Sequence, residues 1–112
     1  MNKLYYNYND KDKLGLLLTI SSPKEVIKKA KEYLGDDVEI FISSNKNKKY
    51  MVLNPETDKM VHFGSFYPPM EDYTFHKDND RRNRYLARAT KIKGNWRDNK
   101  YSPNNLSINL LW

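Results

Sequence analysis

The sequence predicts an α+β fold with a small mixed or antiparallel sheet, because short strand patterns and capped helical patterns follow one another along the chain. The apolar runs at residues 14–20 and 38–43 have the length of buried strands. A helical pattern separates them, so residues 14–43 are predicted to form a β-α-β unit, with a right-handed crossover if the strands are parallel. A length of 112 residues suits one domain with a modest core. The alternative is two sub-units, residues 1–44 and 45–112.

The helix between these runs is predicted to begin at Pro23. Ser22 is an N-cap residue, proline suits the first helical turn, and Glu25 would complete a capping box. Gly35 supplies the C-terminal stop. The apolar residues recur on one face of this helix, which indicates that it packs on a core. They are Val26, Ile27, Ala30, Tyr33 and Leu34.

A β-hairpin is predicted over residues 50–53 and 60–63, because the residues between them, NPETDK, are rich in turn formers. Gly64 gives the second strand a tight exit. Residues 65–72 then contain two consecutive prolines. Each proline disfavours helix in the residue before it, so this segment is predicted to be extended or turning.

A basic helix is predicted next, capped by Thr74 or Asp78 and reaching about Ile92, with Gly94 beyond it. At 100° per residue, four cations fall within a sector of about 80°. This basic ridge consists of Arg81, Arg84, Arg88 and Lys91. The adjoining sector is apolar and predicted to face the core, with Tyr85, Leu86, Ala89 and Ile92. A final short helix or turn is predicted to open at Ser102-Pro103.

The net charge of +6 lies entirely in the last third of the chain. Residues 1–74 hold 11 lysines and 11 acidic residues, whereas residues 75–112 hold nine lysines and arginines against three aspartates. All five arginines are in the second group. Because guanidinium binds phosphate or carboxylate through paired hydrogen bonds, this distribution indicates an anionic partner.

Two kinds of partner fit this positive charge. The alternative is that the charged face is only solvated and binds no partner. The first is nucleic acid, with DNA expected, bound without sequence specificity along its phosphate backbone. Its main contacts would be the basic ridge, supported by Arg82, Arg97 and Lys100. The second is an acidic structural protein, in which case the apolar residues 106–112 would be an anchor, whereas the alternative for these residues is packing in the core.

A metal-dependent nuclease is a third function that the residues allow, through His62, His76 and Asp78. Their spacing matches no known ligand signature, so the sequence predicts no catalytic residue, no metal site and no cofactor. The absence of cysteine excludes disulfides and thiolate ligands and suits a reducing compartment.

Neither a membrane span nor a secretory signal is expected. The longest apolar run has seven residues, far fewer than the roughly 20 that cross a bilayer. The first residues lack the apolar stretch of a signal peptide. The sequence is therefore expected to be that of a soluble intracellular protein.

The second half of the chain resembles a family of small proteins of large DNA viruses, giant viruses included, that has no assigned activity. The shared motifs are VHFG (residues 61–64), DYTFHKDNDRRNRYLARA (72–89), NW (95–96) and YSPNNLSINLLW (101–112). Many members have a histidine where this chain has Ala89, and a glycine-rich link where it has SFYPPM. The resemblance implies a viral origin, with the protein in the host-cell cytoplasm or the virion, and a shared fold. It covers about half the chain and implies no mechanism.

Overall fold

The computed structural model describes residues 11–112. The α+β class is confirmed: a three-stranded antiparallel sheet is accompanied by helices on both sides of it in the sequence. In chain order the elements are helix α1 (Lys11–Leu17), helix α2 (Pro23–Leu34), strand β1 (Ile40–Ile42), strand β2 (Lys48–Asn54), strand β3 (Lys59–Ser65), helix α3 (Tyr73–His76), helix α4 (Asn79–Ala89), a 3-10 helix (Trp96–Asp98) and helix α5 (Pro103–Leu110).

The predicted hairpin is confirmed and is longer at both ends than the sequence indicated. Strand β2 is central and pairs antiparallel with both neighbours, with Ile40 opposite Val52 and Tyr50 opposite Phe63. The turn between β2 and β3 is fixed by the Asn54 side chain, which accepts the backbone N–H of Glu56 at 3.0 Å. This is the local bond for which asparagine is favoured in turns.

The strand predicted at residues 14–20 is wrong, because these residues belong to helix α1 and the turn that follows it. Lys13 and Leu17, four residues apart, are buried, whereas Leu16 and Leu18 are exposed, which is the periodicity of a helix. A seven-residue apolar run does not distinguish the two structures. Strand β1 consequently has no parallel partner, and the predicted β-α-β unit does not form among the described residues.

Lys13 explains why α1 lies where it does. Its ammonium group donates hydrogen bonds to the carbonyl oxygens of Ser43 (2.8 Å), Asn45 (3.0 Å) and Lys48 (2.8 Å) in the connection between β1 and β2. The buried ammonium therefore has three acceptors, which offsets much of its desolvation. This contact joins residues about 30 positions apart and leaves no local signal in the sequence.

Helix α2 has the predicted bounds, and Gly35 follows it with a φ of 102°. The capping box predicted for Ser22 and Glu25 is wrong, because the Ser22 side chain makes no cap hydrogen bond. The backbone N–H of Ser22 instead donates to Thr74 Oγ1 at 3.0 Å, so a distant residue satisfies the helix entry. Thr74 lies inside α3 and caps no helix.

The core lies between the sheet and helices α1, α2 and α5. Its buried side chains come from both of the segments that the sequence allowed as sub-units, on either side of residue 45. They are Leu17, Val26, Ala30, Ile40, Ile42, Tyr50, Val52, Phe63, Leu106, Leu110, Leu111 and Trp112.

Gly64 lies inside β3, one residue before the strand ends, and has a φ of +81°. A Cβ atom there would come within 2.9 Å of Leu111 Cδ1 and 3.2 Å of the Lys49 side chain. Glycine therefore allows both the left-handed backbone and the close approach of Leu111, the residue after α5, to the strand. The next residues turn as predicted, with a cis peptide at Tyr67–Pro68.

Candidate anion-binding surfaces

Helix α4 begins as predicted from Asp78, whose carboxylate accepts the backbone N–H groups of Asp80 (3.0 Å) and Arg81 (3.2 Å). These two bonds hold the pKa of the Asp78 carboxyl below its usual value, chiefly through the bond from Arg81. They also satisfy backbone donors that every helix start leaves open.

Helix α4 ends at Ala89, three residues earlier than predicted. The reason is that side chains further along the chain bind the carbonyl groups of the residues that follow the helix. The Arg97 guanidinium donates to Thr90 O, and the Trp96 indole N–H donates to Ile92 O at 2.6 Å. The core position predicted for Ile92 is wrong, since 51% of that residue is exposed.

The apolar face of α4 otherwise packs as predicted. Tyr85 stacks on Trp112 with 4.2 Å between the ring centroids and 9° between the planes. Ala89 is buried and Leu86 packs against the core. Burial raises the pKa of the Tyr85 hydroxyl. The opposite side of the helix is thereby directed to solvent.

Two members of the basic ridge, Arg84 and Arg88, are exposed on that side. Within residues 11–112 neither guanidinium has an ion-pair or hydrogen-bond partner. Arg81 differs, because its Nη1 lies 2.9 Å from Glu71 Oε1. Lys91 is exposed but lies beyond the end of the helix, so the ridge has three helical members rather than four.

The three supporting cations are each held by a main-chain oxygen. Arg82 Nε donates to Trp112 O at 2.8 Å. Lys100 donates to Tyr33 O at 2.8 Å and lies over that ring, and Arg97 lies over Trp96. The carbonyl oxygens bonded to Arg97 and Lys100 leave those two charges in place, and all three bonds restrict where the side chains reach. Arg82 also projects about 160° around the helix from Arg84, so it belongs to another surface.

That second surface is a group of three cations around the ring of Tyr73, and sequence reasoning missed it. The distances to the ring centroid are 5.9 Å from Lys29 Nζ, 5.6 Å from Lys77 Nζ and 5.5 Å from Arg82 Cζ. We call these three residues with Tyr73 the Tyr73 cluster. The ring is itself fixed, because its hydroxyl donates to Asn79 Oδ1 at 2.9 Å.

Two carboxylates near the Tyr73 cluster already have partners, one inside the cluster and one outside it. Glu25 forms an ion pair with Lys77, and Asp72 forms one with the buried Lys49. Within the described chain Lys29 has neither an ion pair nor a hydrogen bond for its ammonium group. Burial, and then repulsion by Lys77 and Arg82, lower the pKa of Lys29.

The two histidines occupy separate hydrogen-bonded environments. His62 Nδ1 lies 2.6 Å from the hydroxyl of the buried Ser43. His76 Nδ1 accepts the backbone N–H of Asp78 at 2.9 Å, which leaves the hydrogen on Nε2. That Nε2 is buried and has no partner among the described residues. The ring lies 5.2 Å from that of Trp112.

The residues considered for a metal are not assembled as a ligand group. Among residues 11–112 no cluster of three or more His, Asp or Glu side chains could hold a metal ion. The Asp78 carboxylate is occupied in capping α4. The geometry therefore gives no support to the nuclease hypothesis built on His62, His76 and Asp78.

One further groove, of about 680 Å³, lies between the β1–β2 connection and the end of β3. Lys46 and Lys48 line it together with Phe66 and Tyr67, and Tyr67 is 73% exposed. None of the helices in the described part of the chain is both long and apolar enough to span a bilayer.

Residues 38–89 match the model of DUF5754, a family of unknown function. The match runs from just before β1 to the end of α4 and covers slightly less than half of the chain. It includes most of the basic ridge, Tyr73, Lys77 and Arg82, whereas Lys29 lies outside it. No curated protein and no solved structure matches the chain.

Proposed function

We propose that the protein binds nucleic acid, with DNA the expected form, through the solvent-facing arginines of α4. Arg84 and Arg88 are the main contacts, with Arg81 and Lys91 at the two ends. The observation that carries the proposal is that Arg84 and Arg88 are exposed and lack any carboxylate partner in the described chain. Binding in a viral particle or an infected cell belongs to the same proposal.

The spacing of these cations suits a phosphate backbone. From Arg81 to Arg88 the helix rises about 10 Å at 1.5 Å per residue. One DNA strand presents a phosphate about every 3.4 Å along its axis, so roughly three phosphates lie within reach. Contacts of this kind fix position and orientation without reading bases, which predicts binding that is insensitive to sequence.

Arg81 contributes less to the proposed binding of nucleic acid than its position in the basic ridge indicated. Its pairing with Glu71 offsets its charge, although both side chains are about 40% exposed and the pair is screened by solvent. An approaching phosphate therefore has to compete with the Glu71 carboxylate for this guanidinium. The proposal accordingly rests on about three phosphate contacts, from Arg84, Arg88 and Lys91.

The test is an anisotropy titration of a labelled 20-base-pair duplex with the wild type and Arg84→Ala/Arg88→Ala. Loss of two phosphate contacts should weaken binding by at least about tenfold near 100 mM salt. Lys28→Ala/Lys31→Ala is the matched control, since it removes the same charge from exposed positions of α2. Equal affinities for the two double variants would contradict the proposal.

The alternative partner, an acidic viral structural protein, would use the same arginines. The apolar anchor expected for it at residues 106–112 is wrong, because Leu106, Leu110, Leu111 and Trp112 are buried in the core. The contacts that remain for this alternative are therefore ion pairs between the arginines and acidic groups of the partner. Binding of a polyglutamate peptide, but not of duplex DNA, by the wild type would favour it over nucleic acid.

A further inference from the structure

We propose that Lys29 and Arg82 form a discrete site for a dianionic phosphate group beside the ring of Tyr73. The site is distinct from the solvent-facing arginines of α4, because Arg82 projects to the other side of that helix. It therefore does not depend on the proposed binding of nucleic acid.

The donors for such a ligand are present and unused. The Lys29 ammonium carries three N–H donors, and within residues 11–112 none of them has an acceptor. Arg82 uses Nε for the main-chain oxygen of Trp112, and its two Nη groups have no partner in the same range. A planar guanidinium with both Nη groups open is suited to two phosphate oxygens.

The charge of the Tyr73 cluster matches a dianion. Lys29, Lys77 and Arg82 supply three positive charges, and Glu25 supplies one negative charge next to Lys77. Asp72 is balanced by Lys49. The remaining charge of the side chains is +2, whereas a phosphate monoester carries −1.5 to −2 near pH 7. A phosphodiester, with a single negative charge, would leave the site partly uncompensated.

The cations of the Tyr73 cluster also repel one another, and a bound anion would remove this repulsion. Lys29 is only partly exposed, and burial, followed by repulsion from Lys77 and Arg82, lowers the pKa of its ammonium group. Like charges held together without a counterion destabilise the folded chain. A bound phosphate would turn this repulsion into charge-assisted hydrogen bonding.

Of the two side chains that would bind the phosphate, that of Arg82 is held in place before the phosphate arrives. Arg82 is fixed by its bond to Trp112 O, and Lys77 is fixed by its ion pair with Glu25. The Tyr73 ring between them is fixed through Asn79. Among the described residues the ammonium group of Lys29 has no hydrogen bond or ion pair, so this side chain can reorient toward a ligand. Preorganisation of this kind reduces the entropy lost on binding.

The experiment is a ¹H–¹⁵N NMR titration of the full chain with sodium phosphate at pH 7.5, with ionic strength kept constant by NaCl. We expect saturable shifts at Lys29, Tyr73 and the Arg82 Nε–H. Lys29→Met should weaken phosphate binding by about tenfold, the effect of losing a hydrogen bond to a charged group. Lys28→Met, which removes the same charge at an exposed neighbour, should bind like the wild type.

Equal binding by Lys29→Met and Lys28→Met would overturn the site, and so would wild-type shifts that NaCl alone reproduces. Dimethyl phosphate, a monoanion, should bind clearly more weakly than inorganic phosphate, and equal binding would contradict the preference for a dianion. Tighter binding of AMP than of inorganic phosphate would identify a phosphomonoester of a larger molecule as the ligand. Weaker binding of AMP would identify free phosphate.

Arg84→Ala/Arg88→Ala separates this site from the proposed function. It should retain the phosphate shifts while losing affinity for DNA. Loss of phosphate binding in this variant would show that the anion is held by the solvent-facing arginines of α4, and would overturn the Tyr73 site.

Discussion

Lys49 and Asp72 form an ion pair in the interior, with 3.0 Å between Nζ and Oδ2 and side chains 2% and 0% exposed. The pair ties central strand β2 to the residue that immediately precedes Tyr73. Lys49 also donates to Met70 O, and Asp72 accepts the hydroxyl of Thr74. The ion pair therefore fixes the entry to α3 and, with it, the ring around which the Tyr73 cluster forms.

Breaking this pair should be costly. Asp72→Asn leaves the Lys49 ammonium buried without its counterion, and we expect a loss of about 3–5 kcal/mol in the free energy of unfolding. Urea denaturation would measure it. Adding Lys49→Met to Asp72→Asn should restore much of the loss, because it removes the uncompensated charge. A single-variant loss below about 1 kcal/mol would contradict the role given to the pair.

Gly64→Ala should destabilise the protein by about 1–3 kcal/mol, because its φ of +81° is strained for alanine and its Cβ would meet Leu111 and Lys49. Gly15→Ala is the control. Gly15 lies in helix α1 with open space around its Cβ position, so alanine there should stabilise by about 0.5–1 kcal/mol. Thermal unfolding of both variants measures the two changes in stability. Equal changes for Gly64→Ala and Gly15→Ala would contradict the prediction.

Acidification should destabilise the protein through His76. Burial lowers the pKa of His76 below its usual value of 6.5, so the unfolded chain takes up this proton more readily than the folded chain. The contribution of His76 to stability is therefore complete above pH 6.5 and declines as pH falls through its folded-state pKa.

The His76→Asn variant tests this pH dependence, since asparagine keeps an acceptor for the Asp78 N–H. Its free energy of unfolding, measured by urea denaturation between pH 7.5 and 5, should fall less steeply than that of the wild type. Parallel curves for the two proteins would show that another group is responsible.

Glu71→Gln should strengthen binding to DNA, because it releases Arg81 from its ion pair. One added phosphate contact would steepen the salt dependence of binding by about 0.9 in a double-logarithmic plot. Glu32→Gln removes the same charge from an exposed position of α2 and should steepen it less. An unchanged slope for Glu71→Gln would mean that Arg81 makes no contact with the phosphates.

The elements that the sequence predicted correctly carry their signals locally. Asn54 and Pro55 mark the turn of the hairpin, and Ser102 caps α5 by accepting the N–H of Asn105 at 3.2 Å. Asp78 does the same for α4. The side chains of Asn54, Ser102 and Asp78 each bond to backbone within three residues, so their effect can be predicted from a short window.

The features that could not be predicted depend on contacts between distant parts of the chain. Helix α1 is fixed by Lys13 at the β1–β2 connection, and the Ser22 N–H is satisfied by Thr74. In the Tyr73 cluster, Lys29 and Arg82 come from different helices, and their residue types suit an ordinary solvated surface equally well. Only the folded arrangement brings them together, and within residues 11–112 neither forms an ion pair with a carboxylate side chain.

The most direct test of the nucleic-acid proposal is the salt dependence of wild-type binding to a short DNA duplex between 50 and 200 mM KCl. Three phosphate contacts predict a slope of about −2.7 in a double-logarithmic plot, or a loss of affinity of about 40-fold over this range. Arg84→Ala/Arg88→Ala should reduce the slope to about −0.9. An affinity that does not change with salt, or a slope that is the same in this variant, would contradict the proposal.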